Sequence, residues 1–197
     1  FYSSAHIMQK TFLKGVFFMC GIAGQISFEK DMRGEAAVME SMSAVLAPRG
    51  PDAEGSYYDE NAALVHRRLI VIDPENGKQP MTFGRYTIVY NGELYNTEDI
   101  RSELIKKGIG FVGHSDTEVV IKAYITYGES CLDLFNGIFA FAVWDSLDRK
   151  LFLARDRIGV KPLFYSLTKS GLIFASEIKA LLKHPDIKPV IDSNGVA

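Results

Sequence analysis

The chain has 197 residues, 47% of them apolar and 23% charged, with a formal net charge of −2. That length and balance predict one folded domain with tails rather than a disordered chain. The near-neutral charge gives no reason to expect nucleic acid or a membrane surface as partner, and two cysteines, Cys20 and Cys131, are too few for a disulfide framework or a zinc cluster, which favours a reduced, cytoplasmic setting.

Residues 1–19 stand apart. Phe12–Phe18 mixes a lysine with apolar residues but has no signal-length apolar run and no small-residue cleavage site. Ser3-Ser4-Ala5-His6-Ile7-Met8 reads like a cloning junction followed by an in-frame start, with a processed pro-segment as the alternative. No later segment is long and apolar enough to span a bilayer.

Met19-Cys20-Gly21-Ile22-Ala23-Gly24 opens a strand over Gly21–Phe28. If the working protein begins at Cys20, one residue supplies a thiol and, in its α-amine, a base with an ordinary pKa of about 7.7–8.0. Glu35–Leu46 has apolar Val38, Met42, Val45 and Leu46 at helical spacing, and Pro48-Arg49-Gly50-Pro51 stops it. Strands are predicted at Glu54–Tyr58, Ala62–Arg68 and Tyr86–Tyr90.

A strand ending on Asn91-Gly92 has two readings. One is a hairpin turn. The other is an oxyanion hole built from the Asn91 amide and the Gly92 backbone N–H. Asn96–Lys107 reads as a helix with Ile100, Leu104 and Ile105 inward and Gly108 past its end. Ser115-Asp116-Thr117-Glu118 is a capping box that starts a helix ending before Gly128. Arg68 is suited to gripping a carboxylate, whereas Asp116 is equally well explained by the preference for acids at helix starts. His66 and His114 have no distinctive spacing and read as hydrogen-bonded or solvated histidines, and Cys131 reads as a buried core residue.

Strands follow at Gly137–Trp144, Lys150–Arg155, Phe164–Thr168 and Gly171–Ser176, then a short helix, Glu177–Leu182. Both alternating faces of Ile138–Trp144 are apolar, so that strand must be covered above and below. Hairpins, helices and a doubly covered strand together predict a layered α+β sandwich.

Six motifs in order resemble a known family. They are the Cys20 run, Arg49-Gly50-Pro51-Asp52, His66-Arg67-Arg68-Leu69, Asn91-Gly92-Glu93-Leu94-Tyr95-Asn96, Ser115-Asp116-Thr117-Glu118-Val119 and the stretch Arg155–Tyr165. In this order they look like the glutaminase domain, a class II glutamine amidotransferase, of glutamine-hydrolysing asparagine synthetases. Related amidotransferases typically carry a histidine before the Asn-Gly pair, where this chain has Tyr90.

The resemblance implies a four-layer αββα sandwich of the N-terminal-nucleophile hydrolase type, with two mostly antiparallel sheets flanked by helices, over residues 20–187. It implies glutamine as substrate, Cys20 as nucleophile and Asn91 with Gly92 as oxyanion donors. Arg68 would bind the α-carboxylate. Asp116, Glu93 and the backbone of Leu69, Ile70, Val71 and Ile72 would hold the rest of the amino-acid end. No metal or cofactor is implied in this domain. ATP and Mg are expected only in a C-terminal synthetase domain, for which residues 188–197 would begin the linker, and a homodimer is a further expectation. Residues 1–19, as a leader or a cloning-derived extension, would acylate the Cys20 amine and leave the intact chain inactive.

Three other readings stay open. The ammonia would serve an acceptor other than aspartate, the domain would bind glutamine with its nucleophile masked, or it would be a peptidase or acylase of the same nucleophile class. Arg68 with Asp116 argues against the last, since that pair suits a free amino acid.

Overall fold

The computed structural model describes residues 19–70, 73 and 75–190. The expectations for residues 1–18, for Val71 and Ile72, and for residues 191–197 lie outside the described residues. Nine strands are described: β1 (Gly21–Ser27), β2 (Ala53–Tyr58), β3 (Ala62–Arg68), β4 (Met81–Phe83), β5 (Tyr86–Leu94), β6 (Gly137–Asp145), β7 (Lys150–Arg155), β8 (Phe164–Thr168) and β9 (Gly171–Ala175). The α-helices are α1 (Ala36–Leu46), α2 (Thr97–Lys106), α3 (Asp116–Tyr127) and the single turn α4 (Ile178–Leu181).

Two antiparallel sheets form, one in the order β2-β3-β1-β9-β8 and the other β4-β5-β6-β7. Three apolar clusters separate four layers. Met39, Met42 and Leu46 of α1 and Ala180 and Leu181 of α4 cover the outer face of the first sheet at Ala23, Ala63 and Val65. Ile100 and Leu104 of α2 and Val119, Val120 and Ala123 of α3 cover the second sheet at Ile88, Tyr90, Phe139, Phe141 and Val143. Between the sheets lie Ile22, Ile26, Leu64, Val89, Ala142, Trp144 and Phe174. The fold is therefore the αββα sandwich, and β6 is covered on both faces as its sequence requires.

Several local expectations are corrected. The strand expected to stop at Tyr90 continues to Leu94, because Asn91 pairs with Ala140 and Gly92 with Phe139 in the β5–β6 ladder. Asn91-Gly92 is therefore no hairpin turn. In α1 the fully buried face carries Met39 and Ser43 beside Met42 and Leu46, with Val38 and Val45 at its margin. Ile105 faces solvent, and its expected inward place is taken by Arg101, which donates to the Gly113 carbonyl at 2.9 Å and stacks over Phe111.

Asn96 precedes α2 without a side-chain cap bond. Its amide instead spans to Leu134 O and Asn136 N, fastening α2 to the entrance of β6. The capping box at α3 is half formed. Ser115 accepts from Glu118 N, but the Glu118 carboxylate turns to the N–H groups of Val112 and Gly113, each at 2.8 Å, and to Lys122 at 2.5 Å. Cys131 is fully buried, as expected, in a 3-10 turn after α3.

Candidate active site

The site forms where one end of β1 and β3 meets the middle of β5. In the β1–β3 register Gly21 lies beside Arg67 and Ile22 beside His66, so one further step sets Cys20 against Arg68. Alternation puts Cys20 and Ile22 on one face, and His66 and Arg68 on the matching face of β3. From the opposing sheet, Val89 meets Ile22 in the inter-sheet core, so Asn91, two residues on, shares that face. His66 Nε2 lies 3.1 Å from the Tyr90 carbonyl, which pins the two strands together immediately before Asn91.

Cys20 is half-buried. Its Sγ lies 3.8 Å from the Leu69 carbonyl, its own carbonyl accepts from Arg49 Nε at 3.1 Å, and Met19 N donates to the Arg49 carbonyl at 2.9 Å. Burial pushes the thiol up, while the Leu69 backbone and the charges of Arg68 and Lys161 oppose that rise and Asp116 adds to it. The Cys20 thiol therefore lies within the electrostatic reach of Arg68, Asp116 and Lys161, residues far apart in sequence. A buried, raised thiol is a poor thiolate by itself and needs a base beside it.

Asn91 is 2% exposed, and its Nδ2 has no hydrogen-bond partner. Leaving a buried amide donor unsatisfied costs about 1–3 kcal/mol, so such a group signals a missing ligand atom or a strain reservoir. Gly92 is required by space. A Cβ there would lie 2.7 Å from the Ile138 carbonyl and 2.8 Å from both Phe139 Cβ and Tyr90 Cζ.

Tyr90 organises the opposite wall. Its hydroxyl donates to Asp116 Oδ2 at 2.9 Å, and its N–H donates to Gln79 Oε1 at 2.6 Å. Gln79 Nε2 in turn reaches Thr117 Oγ1 at 3.1 Å. Burial raises the Asp116 carboxyl, opposed by the Tyr90 hydroxyl and by backbone N–H groups at the start of α3; burial and the Asp116 charge push the Tyr90 phenol well above its ordinary range. Asp116 thus does more than cap a helix, since its carboxylate accepts from the Tyr90 hydroxyl and its charge is felt at Cys20.

Arg68 is buried, and its Nη2 donates to the Asp73 carbonyl at 2.7 Å. A Cβ on Gly77 would come within 2.3 Å of that guanidinium, so glycine there leaves room for it. Asp73, with φ of 46°, binds the backbone N–H groups of Asn76 and His114 and so ties the loop after β3 to the approach to α3. Of the backbone expected to hold substrate, Leu69 lies against Cys20, and Ile70 N is taken by Asp52 Oδ2 at 2.9 Å. Glu93 is exposed, on the same strand face as Asn91 and within electrostatic reach of Lys161.

His66 is fully enclosed, its Nδ1 has no partner, and burial drives its pKa to about 3, so it stays neutral. It is a strut rather than a base. His114 contributes only its backbone N–H to Asp73.

Sequence reasoning assigned no role to Arg49, Asp52, Gln79 or Lys161. Arg49 holds the Cys20 carbonyl and pairs with Glu177 at 3.0 Å. The signal was present in Arg49-Gly50-Pro51-Asp52. Gly50 lets the turn pass β3, since a Cβ would sit 2.3 Å from the Arg67 carbonyl.

A half-buried thiol at a strand start, a buried amide donor without a partner on the facing sheet and charged groups of both signs are brought together at one end of an αββα sandwich. The chain belongs to the glutamine amidotransferase domain family, whose family model matches residues 19–197. It is 49% identical over 183 residues to asparagine synthetase [glutamine-hydrolyzing] 3 of Bacillus subtilis, and 39% identical over 170 residues to asparagine synthetase [glutamine-hydrolyzing] 1 of the same organism. Those matches cover 91% and 83% of this chain but only 30% and 27% of the relatives. The glutamine phosphoribosylpyrophosphate amidotransferase of B. subtilis superposes with a TM-score of 0.67 at 18% identity, over 82% of this chain and 43% of that one, a likeness of fold. No helix among the described residues is long and apolar enough to cross a membrane.

Proposed function

We propose that the chain hydrolyses glutamine to glutamate and ammonia through a glutamyl thioester on Cys20, and that the ammonia serves ATP-dependent amidation of aspartate in a synthetase domain of a longer polypeptide. The observation that carries this reading is the buried, unpartnered Asn91 Nδ2, on the strand face of β5 turned toward the sheet that begins beside Cys20. It is a donor waiting for an oxygen that the resting pocket does not supply.

In a chain beginning at Cys20, the α-amine takes the thiol proton as Sγ attacks the side-chain amide carbon. The oxygen becomes an oxyanion held by Asn91 Nδ2 and the Gly92 N–H. The amine returns its proton to the departing nitrogen, which leaves as ammonia. Water, losing a proton to the same amine, cleaves the thioester, and glutamate leaves with the thiol restored. Arg68 holds the substrate α-carboxylate, and Asp116 holds its ammonium, with Glu93 and the Leu69–Ile72 backbone completing the pocket. A site built for both charges rejects ligands lacking either one. With residues 1–19 attached the Cys20 nitrogen is an amide and not a base, so that form is expected to be inactive.

Asparagine formation is favoured over other acceptors by the identity to glutamine-hydrolysing asparagine synthetases. ATP and Mg enter with the synthetase domain, not here, and a cytoplasmic setting follows from that metabolic role. The test is ammonia release from glutamine by a chain cleaved to begin at Cys20, with intact mass confirming the cut. Activity is expected there and not in the uncut chain. Asn91→Ala should lower kcat by about 10²–10³-fold with little change in KM. No ammonia from the cleaved chain, or unchanged kcat in the variant, would overturn the proposal.

A further inference from the structure

Lys161 has no role in the chemistry above, yet the structure goes to some length to place it. The loop between β7 and β8 is folded around Asp156, whose carboxylate accepts from Val160 N at 2.9 Å and Lys161 N at 3.0 Å. The same residue exchanges bonds with Phe139, the β6 partner of Gly92, through Phe139 N at 3.2 Å and the Phe139 carbonyl at 2.8 Å. Arg155 clamps the loop from outside, donating to the Lys161 carbonyl at 2.7 Å and the Gly159 carbonyl at 2.6 Å. Gly159, with φ of 73°, makes the turn.

The loop is thus indexed to the oxyanion strand, and it sends the half-buried Lys161 side chain to Cys20. Its Nζ stops 3.1 Å from Met19 Sδ, on the residue bonded to the Cys20 nitrogen. Met19 N is held by the Arg49 carbonyl and the Cys20 carbonyl by Arg49 Nε, so both Arg49 and Lys161 reach the Met19–Cys20 junction.

We propose that Lys161 is a positioning residue whose ammonium, in a chain beginning at Cys20, keeps the adjacent α-amine in its neutral, proton-accepting form near neutral pH. This rests on the proposed use of that amine as base. A neighbouring cation disfavours a second positive charge, so it lowers the pH at which the amine becomes competent. Other charged and titratable groups face the same spot. Arg49, beyond α1, is paired with Glu177, and Arg68 on β3 reinforces the positive field. Asp116 on α3 and Glu93 on β5 oppose it, and the Tyr90 phenol is neutral. Arg49 also reaches Cys20, through its carbonyl, but with its charge paired to Glu177, whereas the Lys161 ammonium meets Met19, the residue joined to the Cys20 nitrogen. The mutual influence of Lys161 and Cys20, and the burial that depresses the lysine, agree with this placement.

The experiment uses the full chain with a protease site placed so that cleavage leaves Cys20 first, as wild type, Lys161→Met and Lys161→Arg. The pH dependence of kcat/KM for glutamine is measured beside that of iodoacetamide labelling of Cys20. Lys161→Met should move the acid limb up by about one pH unit. Activity would then fall about tenfold below the limb and rejoin wild type at high pH. Labelling should shift the same way, and Lys161→Arg should keep the wild-type limb.

A uniform loss at every pH with the limb unmoved would show a merely structural lysine and overturn the inference, as would a Met variant identical to wild type. If cleaved wild type releases no ammonia, the proposed function fails. The labelling profiles of the three forms still decide the role of Lys161 in that event.

Discussion

The Tyr90 hydroxyl donates to Asp116 Oδ2 across 2.9 Å, between a central strand of one sheet and the first turn of α3. Burial raises the carboxyl, and the phenol and nearby N–H groups only partly offset it. A carboxylate raised in the fold contributes stability that is present at low pH and lost as pH rises through its folded pKa. Asp116→Asn should therefore raise the melting temperature of the unliganded chain by about 2–4 °C at pH 7, vanishing near pH 3. Calorimetry at both pH values checks this, and glutamine turnover should fall in the same variant.

His66 sets the opposite trend. Its folded pKa of about 3 lies below the ordinary value of 6.5, so the unfolded chain binds the extra proton first as pH falls. The stability it confers is complete above the unfolded value and drains away between about pH 6.5 and pH 3, on the order of 5 kcal/mol if nothing intervenes. Urea unfolding across that range should be steeply pH-dependent in wild type and flatter in His66→Gln, which retains a donor for the Tyr90 carbonyl.

Gly92 admits no side chain. Gly92→Ala would press a methyl group into the Ile138 carbonyl and the Tyr90 ring, and about 1–3 kcal/mol of stability should be lost as β5 shifts from β6. Since Asn91 is carried on the same strand, kcat should drop more than KM rises. Denaturation midpoints and steady-state kinetics separate the two effects.

Glu118 and Lys122 form a buried pair at 2.5 Å, with Lys122 also bound to the Gly110 carbonyl. Removing only the acid leaves the ammonium and two backbone N–H groups uncompensated. Glu118→Ala should cost about 3–5 kcal/mol, and replacing Lys122 as well with an apolar residue should recover the part due to the stranded ammonium but not the part due to the two N–H groups. A double-mutant cycle by chemical denaturation measures the difference.

Much of the sandwich was legible because periodicity reports burial directly. The doubly apolar Ile138–Trp144 demanded cover on both faces, and Gly108 and Gly128, with φ of 85° and 60°, marked helix ends. Ile105 was misjudged because Arg101, a long cation, lies over Phe111 while the isoleucine one turn away meets solvent. Asn91-Gly92 was ambiguous because turn chemistry and a close-packed strand ask for the same two residues. Only the register with Ala140 and Phe139 separates them. Lys161 was illegible because its place depends on Asp156 gripping a β6 residue seventeen positions earlier.

The Gln79 side chain joins Tyr90 to Thr117, and Asp73 joins the Arg68 guanidinium to His114, just before α3. These links close a ring through Arg68 and Asp116, so the gap between cation and anion works as a fixed gauge. In the proposed binding mode, an amino acid whose two charges sit one methylene further apart would find neither jaw willing to give.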